Sequence, residues 1–116
     1  MLVYAVIVFA IAALGGLVLA TVYVLQGKLA PWPLSLLHAA LGALGLLLLI
    51  YAAVTSGLSS TALAALLILV IAVLGGFYLA SIHLGGKVAP RPVVFIHAGA
   101  AVIGFLVLLA AAIGLA

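Results

Sequence analysis

Four uncharged, apolar stretches dominate this chain: Leu2 to Leu25, Leu34 to Val54, Ala62 to Leu84 and Val93 to Leu115. Each reaches the roughly 20 residues that an α-helix needs to cross a bilayer core. A helix that is apolar all round has no face to offer to water, and lipid is the solvent that accepts it. With 116 residues, 72% of them hydrophobic and 3% charged, a water-soluble core cannot hide the excess. The expected fold is therefore an all-α integral membrane bundle of four transmembrane helices, one membrane domain over 1–116. The first stretch lacks a basic n-region and exceeds a signal-peptide core, so it reads as the first span.

Between the stretches lie Gln26–Pro33, Thr55–Thr61 and Gly85–Pro92, rich in Gly, Pro and Ser, where helices stop and restart. The first and last of these connections match. Gly27-Lys28-x-Ala30-Pro31-x-Pro33 recurs as Gly86-Lys87-x-Ala89-Pro90-x-Pro92. Leu14-Gly15-Gly16 recurs as Leu74-Gly75-Gly76, Leu19-Ala20-Thr21 as Leu79-Ala80-Ser81, and His38-Ala39 as His97-Ala98. The register slips by one residue between Ala20 and Gly27, then holds. The chain thus reads as two tandem helical hairpins, 1–56 and 57–116. Each unit has two spans, so both insert the same way, and the expected symmetry is a pseudo-twofold along the membrane normal.

Charge excludes several functions. There is no Asp or Glu, and the cations are Lys28, Lys87 and Arg91 alone. Three charges make no track for a nucleic-acid backbone, so no nucleic-acid partner is expected. Without carboxylates there is no acidic proton relay, no counter-ion for a cationic solute and no hard-metal site. Without Cys there are no thiolate sites and no covalently attached haem. All three cations sit in the two matching connections, which the positive-inside rule makes cytoplasmic, with both termini outside. A bacterial inner membrane is the expected compartment. Trp32 near one face, with Tyr4 and Tyr51 near the other, fits an aromatic belt.

Histidines carry what chemistry remains. An ionisable side chain in lipid is costly unless it faces the bundle interior with a partner. His38 and His97 occupy matching positions, five residues after the second proline of each connection. At 1.5 Å per residue both lie roughly 7–10 Å below the helix starts. His38, Gly42 and Gly45 share one helix face, as do His97, Ala101 and Gly104. Thr21 and Ser81 lie near the imidazole level, where each hydroxyl is expected to hold the other ring nitrogen. Bonding back to their own helix carbonyls is the alternative. His83, matched by Tyr23, reads as an interfacial headgroup or backbone contact. Packing alone also accounts for the glycines, since small residues let membrane helices approach closely.

A flat macrocycle ligated by His38 and His97 accounts for these features together. Its ring edges would use the glycine-lined space, and its carboxylates would meet Lys28, Lys87 and Arg91. The sequence here resembles the four-helix membrane cytochromes of the b type, in which histidines on bundle helices hold haem edge-on to the membrane plane. The likeness covers the helix plan and the paired His-and-glycine pattern, with a single histidine pair and a shorter chain. It implies one non-covalent haem b and electron transfer rather than catalysis. A quinone, a soluble reductase or a redox subunit would then complete the path. Two other readings stand beside it. One is a pigment-binding or accessory subunit carrying (bacterio)chlorophyll within a homo- or hetero-oligomer. The other is a structural membrane protein or small-solute transporter without cofactor.

Overall fold

A computed structural model of the chain describes residues 1–115; Ala116, the last position of the second unit, lies outside the described residues. All regular structure among the described residues is helical. The first span, Leu2–Gln26, begins as α1 (Leu2–Val18), passes through a π-helical turn (Leu19–Tyr23) and closes in a 3-10 turn (Val24–Gln26). It is followed by α2 (Trp32–Thr55), α3 (Ser60–Leu84) and α4 (Arg91–Ala112). All four are long and apolar enough to cross a membrane. The molecule measures 41 × 20 × 18 Å, enough to cross a hydrocarbon core of about 30 Å.

Local chemistry sets the ends. Pro33 and Pro92 stand in the first turns of α2 and α4, where a missing N–H has no partner to lose. Trp32 and Arg91 therefore belong to the helices, which start two residues before the apolar stretches do. Gly27 and Gly86 take left-handed φ of 72° and 71° and close the spans before them. Lys28 N donates to Tyr23 O and Lys87 N to Ile82 O, at 2.9 and 3.2 Å. Gly27 N and Gly86 N donate to Val24 O and His83 O, completing a Schellman motif at each end. The Gly-Lys pairs are thus helix stops with a cation one residue beyond. Ser59 caps α3, its Oγ accepting from Ala62 N at 3.1 Å. The fourth helix stops at Ala112, short of Leu115, because Gly114 turns the chain at φ 80°.

The π-helical turn has a cause in the chain itself. Lys28 follows Leu14 by fourteen positions, whereas Lys87 follows Leu74 by thirteen. A π-turn absorbs one extra residue without ending a helix. Gln26 then donates from Nε2 to the Thr21 carbonyl at 2.9 Å, at the end of the widened turn.

Around the bundle the order is α1, α2, α3, α4, with chain neighbours antiparallel. Packing is closest within each hairpin and slighter between hairpins. Deep burial is concentrated in the half away from the lysines. Ala5 and Phe9 of α1 meet Leu49 of α2, Ala65 and Leu69 of α3, and Leu108 of α4. Two glycines make this end tight. Phe9 lies over Gly45 and Leu69 over Gly104, so close that a β-carbon on either glycine would come within 2.9 and 2.8 Å. The bundle is zipped at one end and loose at the lysine end.

Gly104→Ala therefore overpacks the zipped end and costs about 1–3 kcal/mol. Thermal unfolding in detergent should show a lowered midpoint, with part of the loss recovered by adding Leu69→Ala. Additive losses in the double variant would refute the Leu69–Gly104 contact as the cause.

Candidate functional site

The two matching histidines are seated in the same way. His38, on α2, places Nδ1 2.8 Å from the Ala12 carbonyl of α1. His97, on α4, places Nδ1 2.7 Å from the Ala72 carbonyl of α3. A carbonyl only accepts, so Nδ1 carries the proton in both rings and donates. In the neutral ring this leaves Nε2 with a free lone pair, the arrangement of an imidazole ready to ligate.

Glycine makes the seat possible. In a helix the side chain at i+4 shields the carbonyl of residue i, and Gly16 and Gly76 stand four residues after Ala12 and Ala72. Each imidazole lies against that glycine. A β-carbon at Gly16 would come within 2.8 Å of His38 Cε1, and one at Gly76 within 3.1 Å of His97 Cε1. The bare Ala12 and Ala72 carbonyls keep their helical bonds and take a second donor from the ring. The two imidazoles end with ring centres 6.2 Å apart and planes at 88°.

They line one cavity of about 330 Å³ between the hairpins. Its wall is almost wholly Ala, Val, Leu and Gly, with Gly42 and Ala101 among them. The other polar groups that reach it are Ser35 and His83. Ser35 Oγ lies 2.8 Å from His83 Nδ1, joining α2 to α3 across the seam between hairpins. The Trp32 ring meets the same imidazole edge-on, with centres 4.9 Å apart. On the opposite seam Arg91 donates to the Leu25 carbonyl at 2.9 Å, joining α4 to the end of the first span. Lys28 and Lys87 are exposed at the same end.

Several expectations change. Thr21 and Ser81 do not orient the imidazoles: Thr21 Oγ1 donates to Leu17 O at 2.7 Å and Ser81 Oγ to Tyr78 O at 2.6 Å. Back-bonding satisfies those hydroxyls within their own helix, and the alanine carbonyls take the role assigned to them. Gly45 and Gly104 offer no room for a ring edge, because Phe9 and Leu69 fill the space above them. Of the strips below the histidines, Gly42 stays open, with nothing within 4 Å of a β-carbon there, and Ala101 lines the cavity. Gly15, Gly16, Gly75 and Gly76 lie against the imidazoles. Arg91 is engaged with a backbone carbonyl, and His83 bonds a serine of the other hairpin. Ser35, Ala12 and Ala72 were not singled out by sequence. The Ala-x-x-x-Gly spacing was the available signal for the two alanines.

Comparison with known proteins yields no matching family model, no similar curated protein and no solved structure of matching fold.

The seating is directly readable by nitrogen NMR of histidine-labelled protein. His38 and His97 should each show a protonated Nδ1 and an unprotonated Nε2. Gly16→Ala should disturb the His38 signals and leave those of His97 in place. Protonated Nε2 in both rings of the unmodified protein would refute the assignment.

Proposed function

We propose that this chain is an integral membrane electron carrier that holds one non-covalent haem b between His38 and His97. The observation that carries the reading is the imidazole pair itself. Both rings spend Nδ1 on a backbone carbonyl, keep Nε2 free, and stand 6.2 Å apart at one cavity. Two imidazoles sharing one metal ion at about 2.0 Å per bond place their centres about 6 Å apart. Edge-to-face packing of two rings tolerates the same separation, so the decision is spectroscopic.

The residues present suit the group. Two neutral imidazoles are the donor set of a low-spin haem, and the apolar wall suits a macrocycle. The cavity of about 330 Å³ is at the small end of ligand sites, so a haem enters by parting the hairpins at the lysine end. That is the end where deep burial is least and where side-chain straps rather than a packed core hold the seams. Lys28 and Lys87, exposed there, are available to the carboxylates. Bound haem supplies one-electron redox chemistry at potentials set by its axial ligands and surroundings.

The exposed surface supports membrane insertion. Leu14, Leu47, Ile71, Leu74 and Ile96 are each more than 60% exposed, on faces no soluble protein of this size leaves bare. The repeated seating of His38 and His97 supports two hairpins related by a pseudo-twofold along the membrane normal. By the positive-inside rule the cations support a cytoplasmic lysine end with both termini outside, and the compartment read is a bacterial inner membrane. A haem near the inner face requires a quinone, a reductase or a redox subunit to complete its circuit.

The test is an absorption spectrum of detergent-purified protein, oxidised and then dithionite-reduced, after expression with haem supplied. A shifted Soret band with a sharp reduced α-band is expected, at one haem per chain. His38→Ala and His97→Ala should each abolish it. A chlorophyll-type spectrum would assign the chain to pigment binding in a larger complex. A colourless preparation would make the pair a packing contact.

A further inference from the structure

The carboxylates of a haem need partners, and the cations that the sequence offered for them stand outside the cavity. Among the described residues, Lys28, Lys87 and Arg91 do not line it. The polar side chains that do, besides His38 and His97, are Ser35 and His83. We infer that the Ser35–His83 pair receives one haem carboxylate and holds that edge of the macrocycle toward the α2–α3 seam. This contact rests on the haem reading proposed above and gives it a partner inside the bundle.

Depth along the helices favours it. Ser35 stands three residues before His38 on α2, about 4.5 Å nearer the lysine end at 1.5 Å per residue. His83 stands seven residues beyond Gly76, the glycine that seats His97, or about 10.5 Å nearer that end. Side chains lean toward the N-terminus of their own helix, so Ser35 leans to the lysine end and His83 away from it. They meet between those levels, with Ser35 Oγ 2.8 Å from His83 Nδ1. A haem ligated at its centre by His38 and His97 carries its carboxylates on short flexible arms at one edge. An arm turned to the lysine end comes to the level of the pair.

The pair has a donor to give in every protonation state. His83 makes no other hydrogen bond among the described residues, and no polar side-chain atom among them is both buried and unpaired, so Nε2 is open. If the Ser35 hydroxyl donates to Nδ1, Nε2 carries the ring proton and is the free donor. If Nδ1 donates to Oγ, the hydroxyl is the free donor. In the imidazolium form both are free. A carboxylate only accepts, and the chain has no Asp or Glu to compete for these donors. A hydrogen bond to an ionised oxygen is the stronger kind, and the apolar wall around this pair offers no rival partner.

The polar corner occurs once. At the position matching Ser35 stands Val94, buried on the cavity wall, and the position matching His83 is Tyr23, outside the lining. The two haem carboxylates therefore meet unequal surroundings. One reaches Ser35 and His83, and the other passes Val94 to the exposed lysines.

The test separates charge from shape. Protein purified without haem is titrated in detergent with haem b and with its dimethyl ester, which keeps the iron and macrocycle but loses both negative charges. The Soret band reads each affinity. Ser35→Ala and His83→Phe should each weaken haem binding about tenfold, the loss of one hydrogen bond to a charged acceptor, and leave ester binding unchanged. Unchanged ester binding also shows that the variants are folded. His83→Gln, which keeps an N–H donor, should recover part of the loss. Equal loss of haem and ester affinity would overturn the contact, because the pair would then only shape the cavity. So would a charge-selective loss found in Lys28→Ala/Lys87→Ala and not in the Ser35 or His83 variants. A low-spin spectrum with no charge-selective loss at the pair removes this contact alone. If neither form gives a low-spin spectrum with the unmodified protein, the haem reading falls and the contact with it.

Discussion

An imidazole N–H in an apolar bundle must find an acceptor, and helices have already spent most of theirs. This chain meets the requirement by stripping the side chain from the residue one turn beyond a carbonyl. Gly16 uncovers Ala12, and Gly76 uncovers Ala72, and each bare carbonyl takes a ring proton beside its helical bond. Much else follows from that contact. It fixes the tautomer, so Nε2 is the nitrogen left over. It ties the second turn of α2 to α1 and that of α4 to α3, and it makes those helices approach closely enough for glycine to be required. The same glycines would be ordinary packing residues in a bundle without histidines; here they are the counterpart of a polar bond.

Burial is distributed to complement this. Below the histidines, Phe9 on Gly45 and Leu69 on Gly104 pack the helices closely. Above them, alanines and glycines leave a cavity, and the hairpins are linked by a few polar side chains. A close-packed interior resists change, whereas a seam held by one hydrogen bond opens for little free energy. The zipped end thus resists opening more than the loose end does. The loose end is where the cations lie, so any group admitted there with acidic substituents meets charge of the complementary sign.

How much of this the sequence contained depends on the range of the interaction. The four long helices were legible because each is a continuous apolar run long enough to cross a membrane. The pairing of His38 with His97 was legible because position five after each second proline is a local feature. The π-helical turn was written in the chain as a one-residue slip between the two sets of matches, though a slip alone does not say where the extra residue is absorbed. The hydroxyls of Thr21 and Ser81 were misassigned because helical spacing gives the face of a side chain and not its rotamer, and a serine or threonine always has its own helix within reach. Gly45 and Gly104 were misread because periodicity cannot tell an open strip from one covered by Phe9 or Leu69. Ser35 and His83 are 48 positions apart and meet only through the docking of one hairpin on the other. No local pattern encodes that.

The straps show where the two halves part company. Positions matched by sequence keep the same partner at the histidines: alanine carbonyl, glycine and imidazole occur twice. At the seams the matched positions differ in chemistry. Trp32 stands where Arg91 does, Ser35 where Val94 does, and Tyr23 where His83 does. The first span also carries the extra residue, next to the seam that Arg91 closes. A ligand held between His38 and His97 would therefore find nearly equivalent partners on either side but unequal routes outward. One route is stoppered by a guanidinium on a carbonyl. The other is bordered by an indole and the Ser35–His83 hydrogen bond. Symmetry at the centre with asymmetry at the rim is what a protein needs if it is to exchange with a partner on one side only.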